Sequence, residues 1–150
     1  MKIAELLDPN TTSLHYAAQD SQDVITHLGN LLYKAGYVRD TFSQAAIDRE
    51  NSMPTGLPLS GEINAAIPHT EVEHVIKCGL GLATLSAPVA FRNMVVTDET
   101  VPVQIVFVMA LDQPKSQVEM LKEIASILQR PETITRLMQA KDYQEILAAL

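Results

Sequence analysis

The chain has 150 residues, 47% hydrophobic and 19% charged, and a formal net charge of −7. That length and apolar content suit one domain with a buried core and argue against disorder. The acidic balance excludes the ordinary nucleic-acid binder and argues against an anionic membrane surface.

No stretch approaches the roughly 18 apolar residues of a membrane span. The opening "MKIAELLDPN" is too briefly apolar for a signal peptide. The one cysteine, Cys78, permits neither an internal disulfide nor a cysteine zinc site, so a cytoplasmic protein is expected.

In chain order, "TTSLHYAA" supplies an edge strand near Ser13 to Ala17. Residues 20–36 predict a helix: Asp20 or Ser21 caps it, Val24, Ile25, Leu28, Leu31 and Leu32 recur at helical spacing, and Gly36 ends it. A second helix runs from about Thr41 to Ser52. Thr41 and Gln44 form a capping box, Pro54 stops the helix, and Phe42, Ala45, Ala46 and Arg49 lie on adjoining faces.

Three strand-like runs follow. Ile63, Ala65 and Ile67 alternate with Asn64 and Ala66. "VIKCGLGLATLSAP" is longer and small-residued, and "VPVQIVFVMAL" (Val101 to Leu111) reads as a central strand covered on both faces, with Pro102 tolerated near its start. "VAFRNMVVTDET" connects the last two and has some strand character. The C-terminal third is helical, opening at Asp112 or Gln113 with Pro114 in the first turn, breaking and restarting at Pro131, and closing with a short helix from Asp142. The order predicts an α/β fold: a single-domain mixed β-sheet over residues 1–150, flanked by helices on both faces.

Most motifs with a mechanism are missing. There is no G-x-G-x-x-G opening a helix, no P-loop, no G-x-S-x-G and no H-E-x-x-H. Gly79 and Gly81 in "CGLGL" read as strand packing or a bulge, and Cys78 as a small core residue. His15 and His27 read as surface or half-buried polar residues.

His69 stands out. Pro68 fixes its own φ and pushes Ile67 towards an extended conformation, so the strand is steered out of the sheet and His69 heads the next loop. Strand ends are where α/β folds place chemistry, and a neutral imidazole can serve as nucleophile or ligand. The pattern alone admits both a functional and an ordinary loop histidine. Arg49 reads first as a helix-end cation. Paired with a nucleophilic imidazole, its guanidinium fork suits phosphoryl transfer, where it offsets charge on the transferred group. A metal site on His69, Glu73 and His74 is the rival, weakened by a His–His spacing of five that is not the i, i+4 of a helical zinc pair.

The segment "AIDRENSMPTGLPLSGEINAAIPHTEVEHV" resembles the active-site segment of enzyme IIA proteins of the bacterial sugar phosphotransferase system, fructose–mannitol class. The shared elements are Arg49, then Pro54-Thr55-Gly56, a short strand, and Ala66-Ile67-Pro68-His69. Glu71 and His74 bring it nearest to galactitol-type members. The resemblance implies that His69 receives a phosphoryl group from the phosphocarrier HPr and passes it to a cysteine of the IIB partner. The membrane IIC component would then be served indirectly, without direct membrane insertion. It implies that Arg49 stabilises the phosphoryl charge, with Thr55, Glu71, Glu73 and His74 lining the site. No cofactor or metal is implied, and Cys78 is not the acceptor cysteine.

One departure matters. Mannitol- and nitrogen-type members carry a second histidine after the strand matching Val101 to Leu111. Here Lys115 or Ser116 occupies roughly that place. Leu57, Pro58 and Leu59 are candidates for an apolar rim or for core packing. The alternatives are a regulatory module that signals through phosphorylation of His69, and a metal-dependent enzyme using His69, His74 and Glu73.

Overall fold

The computed structural model describes residues 2–150. Its strands are β1 (Thr12–Tyr16), β2 (Gly56–Leu57), β3 (Asn64–Ala66), β4 (Gly79–Arg92) and β5 (Thr100–Ala110). Its α-helices are α1 (Ile3–Leu6), α2 (Ser21–Lys34), α3 (Phe42–Ser52), α4 (Pro114–Leu128), α5 (Pro131–Gln139) and α6 (Tyr143–Ala149).

One mixed sheet runs in the order β1-β4-β5-β3-β2. β4 and β5 are antiparallel, β1 lies parallel to β4, β3 lies parallel to β5, and β2 pairs antiparallel with β3. The expected central strand is β5, and its continuous apolar run has the expected cause. Ile105, Phe107 and Met109 enter the core under α1, α4, α5 and α6, while Val106, Val108 and Ala110 enter the core under α2 and α3. The expected sheet with helices on both faces is therefore observed.

The faces of β5 do not alternate throughout. Val101 and Val103 lie on the α2–α3 side, yet Ile105, of the same parity, lies opposite. The register with β3 steps from Asn64↔Val103 to Ala65↔Ile105, so Gln104 is the extra residue of a bulge. One inserted residue reverses which face each following side chain meets.

Several local expectations need correction. The connection read at 89–100 is strand at its start, where β4 continues to Arg92, and residues 93–99 then link β4 to β5. β3 keeps the expected parity, with Ala65 and Ile67 on one side and Ala66 on the other, but both faces are buried. Thr41 forms no capping box: its side chain makes no cap bond, and Gln44 donates to Asp48 instead. Asp20 and Asp142 do cap α2 and α6, and Gly36 ends α2 at φ +87°, where a Cβ would be strained.

No helix among the described residues is long and apolar enough to cross a membrane.

Candidate functional site

His69 lies where β3 leaves the sheet beside the C-terminal end of its parallel neighbour β5. The Met109 N–H donates to the Pro68 carbonyl at 3.0 Å, and His69 bridges to Met109. This fastens the loop to the central strand immediately before the imidazole. The ring is half-buried. Its Nδ1 sits 3.0 Å from the Ile67 carbonyl. A carbonyl only accepts, so Nδ1 carries the proton and donates. In the neutral ring the lone pair is then at Nε2. Burial pushes the His69 pKa below the ordinary imidazole value, and the positive charge of Arg49 adds to this. The Ile67 hydrogen bond and Glu71 act the other way without winning.

Arg49 comes from the last turn of α3. Its Nη1 donates to Glu71 Oε1 at 2.8 Å. Its Nε is buried and has no hydrogen-bond partner. A buried N–H without an acceptor is unfavourable, and an anionic oxygen arriving there would supply one. The Glu71 carboxyl is held below the usual carboxylate range by its own backbone N–H and by Arg49. Beside this pair an open cleft of about 510 Å³ is lined by Thr41, Asp48, Arg49, Ser52, Glu71 and His74.

Thr55 is placed differently from a residue that faces a transferred group. Its N–H donates to Glu50 Oε2 and its hydroxyl to Glu50 Oε1, both at 2.7 Å, and the hydroxyl oxygen accepts the Ile67 N–H at 3.2 Å. Thr55 thus ties α3 to the backbone two residues before His69. Glu50, which the sequence reading passed over, is the buried end of that tie. Burial raises its pKa, against the two Thr55 hydrogen bonds and the charge of Arg92. A signal existed: Phe42, Ala46 and Glu50 follow i, i+4, i+8 spacing and are the buried residues of α3. A carboxylate on an apolar stripe asks for a partner. Gly56 opens β2 and has no room for a side chain, because a Cβ there would lie 2.4 Å from the Arg92 carbonyl.

His74 is anchored through Nδ1 by the Thr41 hydroxyl at 2.8 Å, which explains the missing cap on α3. Ligand atoms of Glu71, Glu73 and His74 lie within 4.8 Å of one another. Among the described residues His69 is not part of that group, so the trio His69, Glu73 and His74 is not assembled. Glu73 is exposed, with Oε1 3.9 Å from His74 Nε2.

The hydrogen bond from α4 to the site loop comes from neither Lys115 nor Ser116. Gln117 makes it, donating to the Thr70 carbonyl at 2.9 Å. Leu57 and Leu59 pack against the core on the α4 side rather than forming an open rim. The Cys78 thiol is half-buried, hydrogen-bonded to Asp112, and raised in pKa chiefly by burial. Gly79 packs under the Tyr37 ring in regular register with β5, so no bulge is present there. His27 stacks on Tyr16 and bonds Ser13, and His15 contacts the Ala140 carbonyl, so neither reaches the site.

The site thus sets a half-buried imidazole, its Nδ1 proton donated to the Ile67 carbonyl, at the end of a parallel strand pair, with the positive charge of Arg49 acting on it. Residues 5–150 match the family described as the phosphoenolpyruvate-dependent sugar phosphotransferase system, EIIA 2, and the chain belongs to that family. It is 32% identical over 125 residues to the galactitol-specific EIIA component of Escherichia coli K12, covering 83% of this chain and 82% of the relative. It superposes on crystalline mannitol IIA from Escherichia coli with TM-score 0.77 at 26% identity, covering 95% and 96% of the two chains. It is also similar to enzyme IIA in the Escherichia coli mannitol complex with phosphorylated IIB, with TM-score 0.77, 27% identity and coverage of 96% and 97%. The resemblance drawn from the Arg49 to His74 segment therefore holds, and with it a transferase role in phosphoryl transfer.

Proposed function

We propose that His69 accepts a phosphoryl group from phospho-HPr and passes it to a cysteine of a IIB component, in uptake of a galactitol-type polyol. Residues 1–150 act as one cytoplasmic phosphocarrier domain, and the membrane IIC component is served indirectly. The observation that carries this reading is the His69 ring, with its proton committed to the Ile67 carbonyl and its Nε2 lone pair left for attack.

The transfer balances simply. The Nε2 lone pair forms a new N–P bond as the N–P bond on the donor breaks, and the donor imidazole leaves neutral with the bonding pair. The His69 ring keeps its Nδ1 proton and takes on the positive charge that the donor ring gives up. The phosphoryl group is metaphosphate-like in flight, so its oxygens need fixed positive charge more than they need a base. Arg49, through its unpaired Nε edge, supports that role. Met53, Ile76 and Val118 are exposed apolar side chains on segments that adjoin the site, and they suit transient docking of partner proteins. The galactitol assignment rests on the 32% identical relative.

Incubation with phosphoenolpyruvate, enzyme I and HPr should add one acid-labile phosphate to the chain, and His69→Ala should abolish it. A wild-type chain that takes no phosphate from HPr would overturn the proposal. Passage of the label to a IIB cysteine separates a transport component from a purely regulatory one.

A further inference from the structure

We propose that Glu71 sets how strongly His69 holds its phosphoryl group, by competing with that group for Arg49. The inference rests on the phosphocarrier reading of His69. Three observations carry it. Arg49 is the cation whose charge reaches His69. Its Nη1 is already paired with the Glu71 carboxylate at 2.8 Å. Its Nε is buried without a partner. In the unphosphorylated protein, then, one corner of the guanidinium is satisfied by Glu71 and the inner edge is not.

Phosphorylation places a dianion beside His69. The guanidinium is drawn towards it, and the Glu71 charge opposes it whether or not the 2.8 Å pair opens. Glu71 therefore stabilises the empty site through Arg49 and destabilises the filled one through repulsion. Both effects have the same sign. They leave the phosphoryl group easier to pass on, which suits a carrier that must give up what it receives.

Donor and acceptor bonds are both N–P bonds, so the equilibrium between phospho-HPr and this chain is set by the surroundings of the two imidazoles. A carboxylate near one of them is read directly in that ratio.

The size of the effect follows from exposure. The Arg49 and Glu71 side chains are 25% and 50% exposed, so solvent screens the pair. Exposed pairs of this kind correspond to a factor of about two to five in an equilibrium constant. The Glu71 carbonyl accepts from the Thr70 hydroxyl whatever the side chain, and the backbone N–H that faces the carboxylate finds the same acceptor in a glutamine carbonyl oxygen. Glu71→Gln thus removes the charge and keeps the shape.

The test equilibrates wild type and Glu71→Gln with phospho-HPr and HPr, and reads the phosphorylated fraction by intact mass at alkaline pH. Glu71→Gln should shift the ratio about two- to five-fold towards the phosphorylated chain. In an Arg49→Gln background the same change should have a smaller effect, because the competition for the guanidinium is gone. A residue that only supports the loop would change rates, or lower both forms, without an Arg49-dependent shift of the ratio. An unchanged ratio, or one moved towards the unphosphorylated chain, overturns the inference while leaving the phosphocarrier reading intact. A wild-type chain that takes no phosphoryl group overturns both.

Discussion

Thr55→Val separates a residue that supports the site from one that touches the transferred group. Valine keeps the shape and removes the hydroxyl. Two buried partners then lose it: Glu50 Oε1, at 2.7 Å, and the Ile67 N–H, at 3.2 Å. Glu50, Thr55 and Ile67 are 8%, 3% and 0% exposed, so water does not replace what is lost. A hydrogen bond to a charged group contributes about 1.5–3 kcal/mol, and a buried amide left unpaired costs about 1–3 kcal/mol. The groups share one network, so the two do not simply add, and a loss of about 2–4 kcal/mol is expected. Glu50 keeps the Thr55 N–H, which limits the damage.

Denaturant unfolding at constant slope measures it. Thr55→Ser keeps the hydroxyl and loses a methyl group, so it should cost only about 0.5–1.5 kcal/mol. The phosphoryl group itself should be indifferent to the hydroxyl. Its one proton is already donated to Glu50, and a dianion needs donors. Labelling of His69 should therefore still reach completion in Thr55→Val under conditions where the variant is folded. A Thr55→Val protein within about 0.5 kcal/mol of wild type would refute the supporting role.

Two further outcomes follow from the same geometry. The His69 ring should titrate below the ordinary imidazole value of about 6.5, as read from its ring proton by NMR; a midpoint at or above that value would contradict the burial argument. Between the folded midpoint and about pH 6.5 the unfolded chain binds more protons at this residue, so its contribution to stability is present above about pH 6.5 and declines as pH falls through that window. Gly56→Ala should destabilise by about 1–3 kcal/mol, because the added Cβ meets the Arg92 carbonyl at 2.4 Å and backbone must shift; a neutral effect on the unfolding midpoint would mean that the backbone there relaxes freely.

The parts of the fold carried by local pattern were legible. The apolar run of β5, the Asp20 cap, Pro114 in the first turn of α4, the break at Pro131 and the helix start at Asp142 depend on neighbouring residues, and they stand where the sequence puts them. What escaped depends on residues distant in the chain. Thr41 looked like a cap because Gln44 follows it, but His74, 33 positions on, takes its hydroxyl. The Gln104 bulge is set by pairing with β3, and nothing within β5 announces it.

The site divides in the same way. Pro68 made the strand exit at His69 readable, since proline acts on its immediate neighbours. Glu50 was hidden because its partner is a threonine between α3 and β2 whose other contact is the Ile67 amide, 12 residues further on. Thr55 was noticed for its motif, but its bonds to Glu50 and to the Ile67 N–H were hidden for the same reason. The residues easiest to find were His69 and Arg49, each marked by its local pattern. The residue that holds them in relation is a buried acid, Glu50, and burial of an acid is a property of the fold rather than of the spacing. A search for this kind of site should therefore treat an acidic residue on an apolar helical stripe, one turn before a Pro-Thr-Gly, as part of the machinery, because the same carboxylate that would be costly alone is what fixes the backbone leading to the histidine.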